Sequence, residues 1–331
     1  LLSGRDPLTG KKEATISTIK ESCSRPTLAP FAAGTPYDPP EGLKSACGPG
    51  NFVANGLLWK FPSPCSNCTE WRGFIVQGPA EEAPPPPARL RISGADARPA
   101  DDARGWLTYR GDPERSSFAP VRVPDQPAVL WQSDMLTGAG PISKGGGVLA
   151  AAEFVPAPPV VANDRIVVAH ADGSVNALAL ESGEPLWRAY TSGRIHSSPT
   201  VWKDRVFVSS CDGHLYAFAL ADGRELWRLR VAADAARAMV YNQLGSRWPA
   251  VSAPVVCGDT VVASAGLVGH IDGVVAVGAD AATGRLQWER RDWTKAEEAG
   301  RISGGAQFAC IDRTLFYHGG MAPPIRIDAR D

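Results

Sequence analysis

The chain has 331 residues, with 34 lysines and arginines against 35 aspartates and glutamates and a formal net charge of −1. That balance excludes the basic surface by which proteins ordinarily bind nucleic acid, and no apolar run reaches the ~20 residues of a membrane-spanning helix. With 34 glycines and 29 prolines, the composition suits an all-β chain of many turns. In chain order, Leu1 stands inside a strand, and four of the seven cysteines then fall close together at Cys23, Cys47, Cys65 and Cys68. An even cluster reads as disulfides in a secreted protein; a four-cysteine metal site and free thiols are the alternatives, and the spacing does not assign a pairing. Cys65-Ser66-Asn67-Cys68 is the one Cys-x-x-Cys, which weakens the metal reading, and Thr69 in place of histidine after it rules out covalent haem attachment there. Ala83-Pro84-Pro85-Pro86-Pro87-Ala88 has polyproline character, so residues 78–105 read as an exposed loop or linker between a cysteine-rich segment, 1–77, and a repeat region, 106–331.

From residue 159 onward one arrangement recurs. A short strand opens on proline (Pro159-Val160-Val161, Pro199-Thr200-Val201, Pro254-Val255-Val256), and two β-rich runs follow it. In the first two copies these runs are joined by Asp172-Gly173 and Asp212-Gly213, a hairpin signal. Each copy ends on a glycine turn followed four residues later by tryptophan: Gly183 and Trp187, Gly223 and Trp227, Gly284 and Trp288. The tryptophans lie 40 and then 61 residues apart, the second interval holding an insertion. A period near 40 is one four-stranded blade of a β-propeller, with tryptophan as the packing element between blades. Cys211, Cys257 and Cys310 read as small buried strand residues with inert thiols, which leaves the N-terminal cluster as the expected place for bridges. After Thr314-Leu315-Phe316-Tyr317-His318 and Ile325-Arg326-Ile327 the chain stops where another Gly-Trp turn is expected, so a longer protein is anticipated.

Asp280-Ala281-Ala282-Thr283-Gly284-Arg285-Leu286-Gln287-Trp288 closely resembles the repeat phrase of the PQQ-binding-like β-propeller family. Gly105-Trp106-Leu107-Thr108-Tyr109-Arg110-Gly111-Asp112, with Arg115-Ser116-Ser117 and Val129-Leu130-Trp131, is similar to that family's lead-in and first tryptophan strand. Gly4 to Gly10 resembles the repeat turn without its tryptophan. The resemblance implies an eight-bladed ring with Trp131, Trp187, Trp227 and Trp288 docking between blades. Ala179 and Ala219 stand where the family carries aspartate, so the hydrogen bond of that side chain must be replaced or lost there. Val53 to Pro62, followed by the Cys65/Cys68 pair, is similar to a cysteine-bearing blade of the family.

Quinoprotein dehydrogenases of this superfamily hold their quinone with calcium, an adjacent Cys-Cys disulfide and an aspartate base; this chain has no Cys-Cys. Its five histidines fall in no metal or catalytic spacing, and no nucleophile elbow or phosphate loop occurs. The expected binding region is one end of the central channel, where Gly193 to Pro199 and Arg237 to Pro249 enter two blades. The second loop contains a Gln-Leu-x-Ser-x-Trp-Pro phrase similar to that of a subgroup of the family. Arg194, His196, Arg237, Tyr241, Gln243, Arg247 and Trp248 are the candidate contacts to a ligand bearing carboxylates or hydroxyls; the competing reading is that they hydrogen-bond neighbouring blades and plug the channel. The sequence therefore points to a periplasmic, cell-surface or secreted propeller acting as a binding or scaffold module, with no cofactor, toward a protein or a small polar ligand. The alternatives are an oxidoreductase using PQQ and calcium, and a subunit of a surface assembly analogous to the lipoprotein propeller of outer-membrane protein assembly.

Overall fold

The structure, a computed structural model, describes residues 2–5, 12–16, 52–54, 57–60, 75–77, 87–94, 102–122, 124–133, 157–240, 243–268, 271–291, 305, 307–318 and 324–328. Every regular element among them is a β-strand. The chain divides into two compact units, one of Leu1–Pro86 with Arg237–Gly245 and one of Pro87–Ala236 with Ser246–Asp331. In the first unit, β1 (Leu2–Arg5) and β2 (Lys12–Ile16) form a hairpin, and β3 (Phe52–Ala54), β4 (Leu57–Lys60) and β5 (Ile75–Gln77) form a three-stranded antiparallel sheet. Cys23, Cys47, Cys65 and Cys68, and with them the expected bridges of the cluster, lie outside the described residues.

Among the described residues the second unit holds four consecutive blades. β6 (Leu90–Ile92) and β7 (Gly105–Trp106) precede them in the chain. The first blade runs inward to outward as β8 (Val160–Ala162), β9 (Arg165–Ala169), β10 (Ser174–Ala179) and β11 (Pro185–Tyr190), with β7 paired to β8. The second is β12 (Thr200–Trp202), β13 (Arg205–Ser210), β14 (His214–Ala219) and β15 (Glu225–Arg230), with β6 added outside β15. Within residues 78–105, read from the sequence as an exposed loop or linker, β6 thus lies along the outer edge of a blade. β16 (Arg237–Val240) and β17 (Gln243–Ser246) pair with each other. The third blade is β18 (Val255–Cys257), β19 (Thr260–Val268), β20 (Ile271–Asp280) and β21 (Leu286–Arg290); the fourth contributes β22 (Gln307–Ile311), β23 (Thr314–His318) and β24 (Ile325–Asp328).

Side chains alternate across each strand, and in the middle blades both faces are apolar because each packs on a neighbour. On β13, Val206 and Val208 face Val167, Ala169 and Val175 of the first blade, whereas Phe207 joins Trp227, Val261, Ala263 and Val277 between the second and third. Val262, Val274 and Ala276 turn the other way, onto Phe308, Leu315 and Tyr317 of the fourth.

The glycine turns show why the repeat phrase has its form. Gly183, Gly223 and Gly284 have φ of 73°, 73° and 72°, a left-handed backbone that disfavours other residues. A Cβ on Gly223 would lie 2.5 Å from the Trp187 ring, and one on Gly284 would lie 2.6 Å from the Trp227 ring. Each of these indoles therefore lies on the turn of the next blade. Trp131 lies on Gly183 in the same way. The indole N–H of Trp131 donates to Leu180 O (3.0 Å) and that of Trp187 to Leu220 O (2.9 Å). In the third blade Asp280 Oδ1 accepts from both N–H and Oγ1 of Thr283 (2.8 and 2.7 Å). With alanine at 179 and 219 that bond is absent, but the cap beside the glycine survives: Glu184 N donates to Ser182 Oγ (3.3 Å) and Arg224 N to Asp222 Oδ1 (3.0 Å).

The reading of Cys257 and Cys310 as inert thiols is corrected: they form a disulfide, with Cα atoms 5.7 Å apart. β18 and β22 are the innermost strands of successive blades, and the two cysteines occupy similar places on them, so the stacking that buries both side chains also brings the sulfurs together. Cys211 keeps a free thiol, pushed up to about 12 by burial.

Candidate functional site

The lead-in segment around residues 105–117 bonds to the inner strands of the first, second and fourth described blades and to Pro254, just before that of the third. β7 pairs with β8. Leu107 O then accepts the N–H of Val201 on β12 (2.7 Å), and Pro113 O accepts that of Cys310 on β22 (2.8 Å). Between these points Arg115 is the hub. Its Nη1 donates to Thr108 Oγ1 (2.6 Å) and Tyr109 O (2.7 Å), its Nε to Phe308 O (2.8 Å), and its Nη2 to Pro254 O (3.3 Å). The hydroxyl protons can be placed by elimination. Thr200 Oγ1 donates to Pro254 O (2.7 Å), so Thr108 Oγ1, which accepts from Arg115, donates its own proton to Thr200 (2.7 Å). A directed chain thus runs from a guanidinium through two hydroxyls to a carbonyl. Burial draws the Arg115 pKa down to about 10, countered by Asp112, and the group stays charged at neutral pH. The lead-in resemblance includes Arg115-Ser116-Ser117, but Arg115 is not among the candidate contacts read from the sequence.

A second polar set lies between the first and second blades. His214 N donates to Asp212 Oδ1 (3.1 Å), Tyr216 OH donates to Asp212 Oδ2, and Ser192 N of the first blade donates to Tyr216 OH (3.2 Å). Burial and the Asp212 charge push the phenol up to about 12, so it remains a donor. Forty residues earlier the first blade has a matching chain, Arg188 Nε to Asn176 Oδ1 (2.5 Å), Asn176 Nδ2 to Ser174 Oγ (3.2 Å) and Ser174 N to Asp172 Oδ1 (2.8 Å). Both aspartates are therefore held as structural acceptors. Burial by itself would raise the Asp212 carboxyl, but bonds from His214 and Tyr216 more than offset it and hold the group below the usual carboxylate range. A depressed folded pKa stabilises the protein above the unfolded value of about 3.9, and that contribution is lost as pH falls through the folded value. Asp212→Asn is accordingly expected to be less stable than the parent at pH 6 and to lose less stability between about pH 4 and pH 2; denaturant unfolding across that range checks it, and parallel curves would exclude the role.

The proposed ligand residues do not share one setting. Arg194 is buried, and its carbonyl accepts Cys211 N (2.8 Å); His196 two residues on is exposed. Trp248 is buried in the core between the second and third blades, its Nε1 donating to Asp234 Oδ2 (3.3 Å), so its ring serves packing. Arg247 is half-buried, with its N–H on Ala236 O (2.9 Å). Arg237 on β16 and Gln243 on β17 belong to the other compact unit, and Tyr241 lies outside the described residues.

The polar groups along residues 105–117 are backbone carbonyls, hydroxyls, the carboxylates of Asp112 and Glu114 and the guanidiniums of Arg110 and Arg115. Calcium needs several oxygens, usually including carboxylates, and among the described residues no group of three or more His, Cys, Asp or Glu is placed to hold a metal ion. No helix among the described residues is long and apolar enough to cross a membrane.

Comparison with solved structures gives 17% identity and a TM-score of 0.47 to a quinohemoprotein alcohol dehydrogenase from Comamonas testosteroni, covering 68% of this chain and 39% of that one. A quinohemoprotein alcohol dehydrogenase from Pseudomonas putida HK5 gives 18% and 0.43, covering 54% and 33%. The computationally designed Ika4 protein gives 15% and 0.39, covering 58% and 98%. The chain thus spans only about two fifths and one third of the two enzymes. No curated protein matches in sequence. A PQQ-like repeat model described as outer membrane protein assembly factor BamB matches residues 121–308. That match takes in more than half of the chain, and with the all-β blades it shows that the chain belongs to this family of PQQ-like repeat propellers.

Proposed function

We propose that the chain is an extracytoplasmic binding or scaffold module that docks protein in the cell envelope. The observation that carries this reading is the stretch between the lead-in segment and Trp131. Phe118, Val121, Val129 and Leu130 are all exposed there, Leu130 at 85%, in a run that belongs to no described sheet. Contiguous exposed apolar surface marks interaction sites, four large apolar side chains exposed along one short stretch of chain favour that reading, and the family's description as an outer-membrane assembly factor is in keeping with a protein partner. The buried disulfide supports residence in an oxidising compartment. His196 and Arg247 remain as candidate polar contacts of the same module.

A photo-crosslinking residue at Leu130, in the full protein in its own envelope, is expected to give a discrete adduct that Val129→Asp diminishes at least fivefold while the thermal midpoint stays within about 2 °C, as for an exposed substitution. Absence of any adduct at Phe118, Val121 and Leu130 overturns the docking reading. Substrate-dependent dye reduction by the purified protein with PQQ and calcium would replace it by the oxidoreductase.

A further inference from the structure

The second blade shows what its outer edge accepts. β6 lies antiparallel on β15, with Ile92 opposite Trp227, Arg91 opposite Arg228 and Leu90 opposite Leu229. Arg230 N donates to Arg89 O (2.8 Å), and Ser93 N and Gly94 N both donate to Leu226 O (2.8 and 3.0 Å). The N–H and C=O groups that β15 turns outward are thus taken up by a segment distant in sequence, a strand addition within one chain. Its cover can be read from one residue: Leu226, against Gly94, is 7% exposed.

β11 is the same strand one repeat earlier, and among the described residues no strand lies outside it. Leu186, forty residues before Leu226, is 45% exposed, and Tyr190, forty before Arg230, is exposed as well. Unpaired edges of this kind template the addition of another strand unless they are blocked.

The anchor of β6 indicates which strand would suit β11. Arg89 pairs through Nη2 with Glu289, the residue after Trp288 on the outer strand of the next blade, while its Nε donates to Arg230 O (3.0 Å). For a strand on β11 the next blade is the second, and the residue after its tryptophan is Arg228, which lies over the ring of Tyr216, a residue of the core shared with the first blade, and whose own ion pair, to Glu225, is long at 3.9 Å. The charge that meets the incoming strand is therefore reversed.

We propose that the outer edge of β11 is a docking site for an extended segment of a partner protein, added antiparallel, with an acidic residue opposite Tyr190 and apolar residues opposite Ala189 and Trp187. This rests on the reading of the chain as a protein-binding module and names the kind of partner strand. The acidic residue pairs with Arg228 as Arg89 pairs with Glu289, and the apolar residues cover Leu186 as β6 covers Leu226.

The test uses the full chain and two synthetic peptides, Pro-Ala-Arg-Leu-Arg-Ile-Ser-Gly, which copies residues 87–94, and its form with glutamate at the first arginine. The glutamate peptide is expected to bind at least tenfold more tightly, to slow amide exchange in Leu186–Tyr190, and to lose that effect when its central arginine is N-methylated. Leu186→Asp is expected to weaken it at least tenfold, and Arg228→Glu to reverse the preference between the peptides. Equal affinities, no protection of β11, or protection confined to β15 through exchange with β6 would each overturn the proposal. Crosslinking at Leu130 reads the scaffold assignment separately, so failure of the peptides with that adduct intact removes the β11 site alone.

Discussion

Replacing Trp227 by alanine is expected to lower stability by about 3–5 kcal/mol, the usual loss for a fully buried aromatic. Trp227 is 1% exposed, tilts against Phe207 with ring centroids 5.6 Å apart, and covers the turn at Gly284 in the third blade. Its removal empties the contact between two blades, and neither sheet can close the gap without breaking its own ladder. Trp131→Ala is expected to cost less, because that ring is half-buried and belongs to no described sheet. Denaturant midpoints of the two variants measured side by side check the ranking. A midpoint indifferent to Trp227→Ala would mean that the blades do not rely on this contact.

The second large effect is expected at the Cys257–Cys310 bridge. It closes a separation of 53 residues between the inner strands of the third and fourth blades. On the chain-entropy account, loss of a cross-link over such a loop costs about 4 kcal/mol. Cys257→Ser with Cys310→Ser is therefore expected to lower the unfolding midpoint strongly and to make it insensitive to dithiothreitol, whereas the parent falls to the level of the variant when reduced. The fourth blade should loosen first, since the bridge is the covalent tie of its inner strand to that of the third, and the backbone bond from Cys310 N to Pro113 O is what remains. Non-reducing peptide mapping gives the direct check. Recovery of both cysteines as alkylated monomers from the unreduced protein would exclude the bridge.

Both results bear on the proposed function, because a scaffold must present its edges at fixed spacing. Blade stacking through tryptophan, the inter-blade disulfide and the Arg115 hub all act across blades, and each makes the position of one outer edge depend on its neighbours. Arg115 has direct bonds to the carbonyls of Pro254 and Phe308, at the inner ends of the third and fourth blades.

Features set by local chemistry were legible in the sequence. A glycine at φ near 73° beneath an indole leaves the phrase Gly-x-x-x-Trp, and the hairpin turns leave Asp-Gly, because each needs particular residues at short spacing whatever surrounds them. The blades and their order could therefore be read along the chain. The bridge between Cys257 and Cys310 could not, because each cysteine looks like any small residue in an apolar strand until stacking brings β18 beside β22. For the same reason the sequence leaves Trp248 open between a ligand contact and a packing residue of neighbouring blades, and the fold places its ring in the core between two of them. Arg115 stands in the lead-in phrase, in Arg115-Ser116-Ser117, but nothing in the local sequence shows its partners. Its role comes from carbonyls 139 and 193 residues away, which only the packing of the inner strands delivers to one guanidinium. The outer edges followed the same division: β11 and β15 are near copies in sequence, and what distinguishes them is a strand from residues 90–92 that pairs with one and not the other. Backbone pairing of that kind needs little from side chains, so it leaves almost no trace in composition or spacing and is decided by where the tertiary structure brings an extended segment to an open edge.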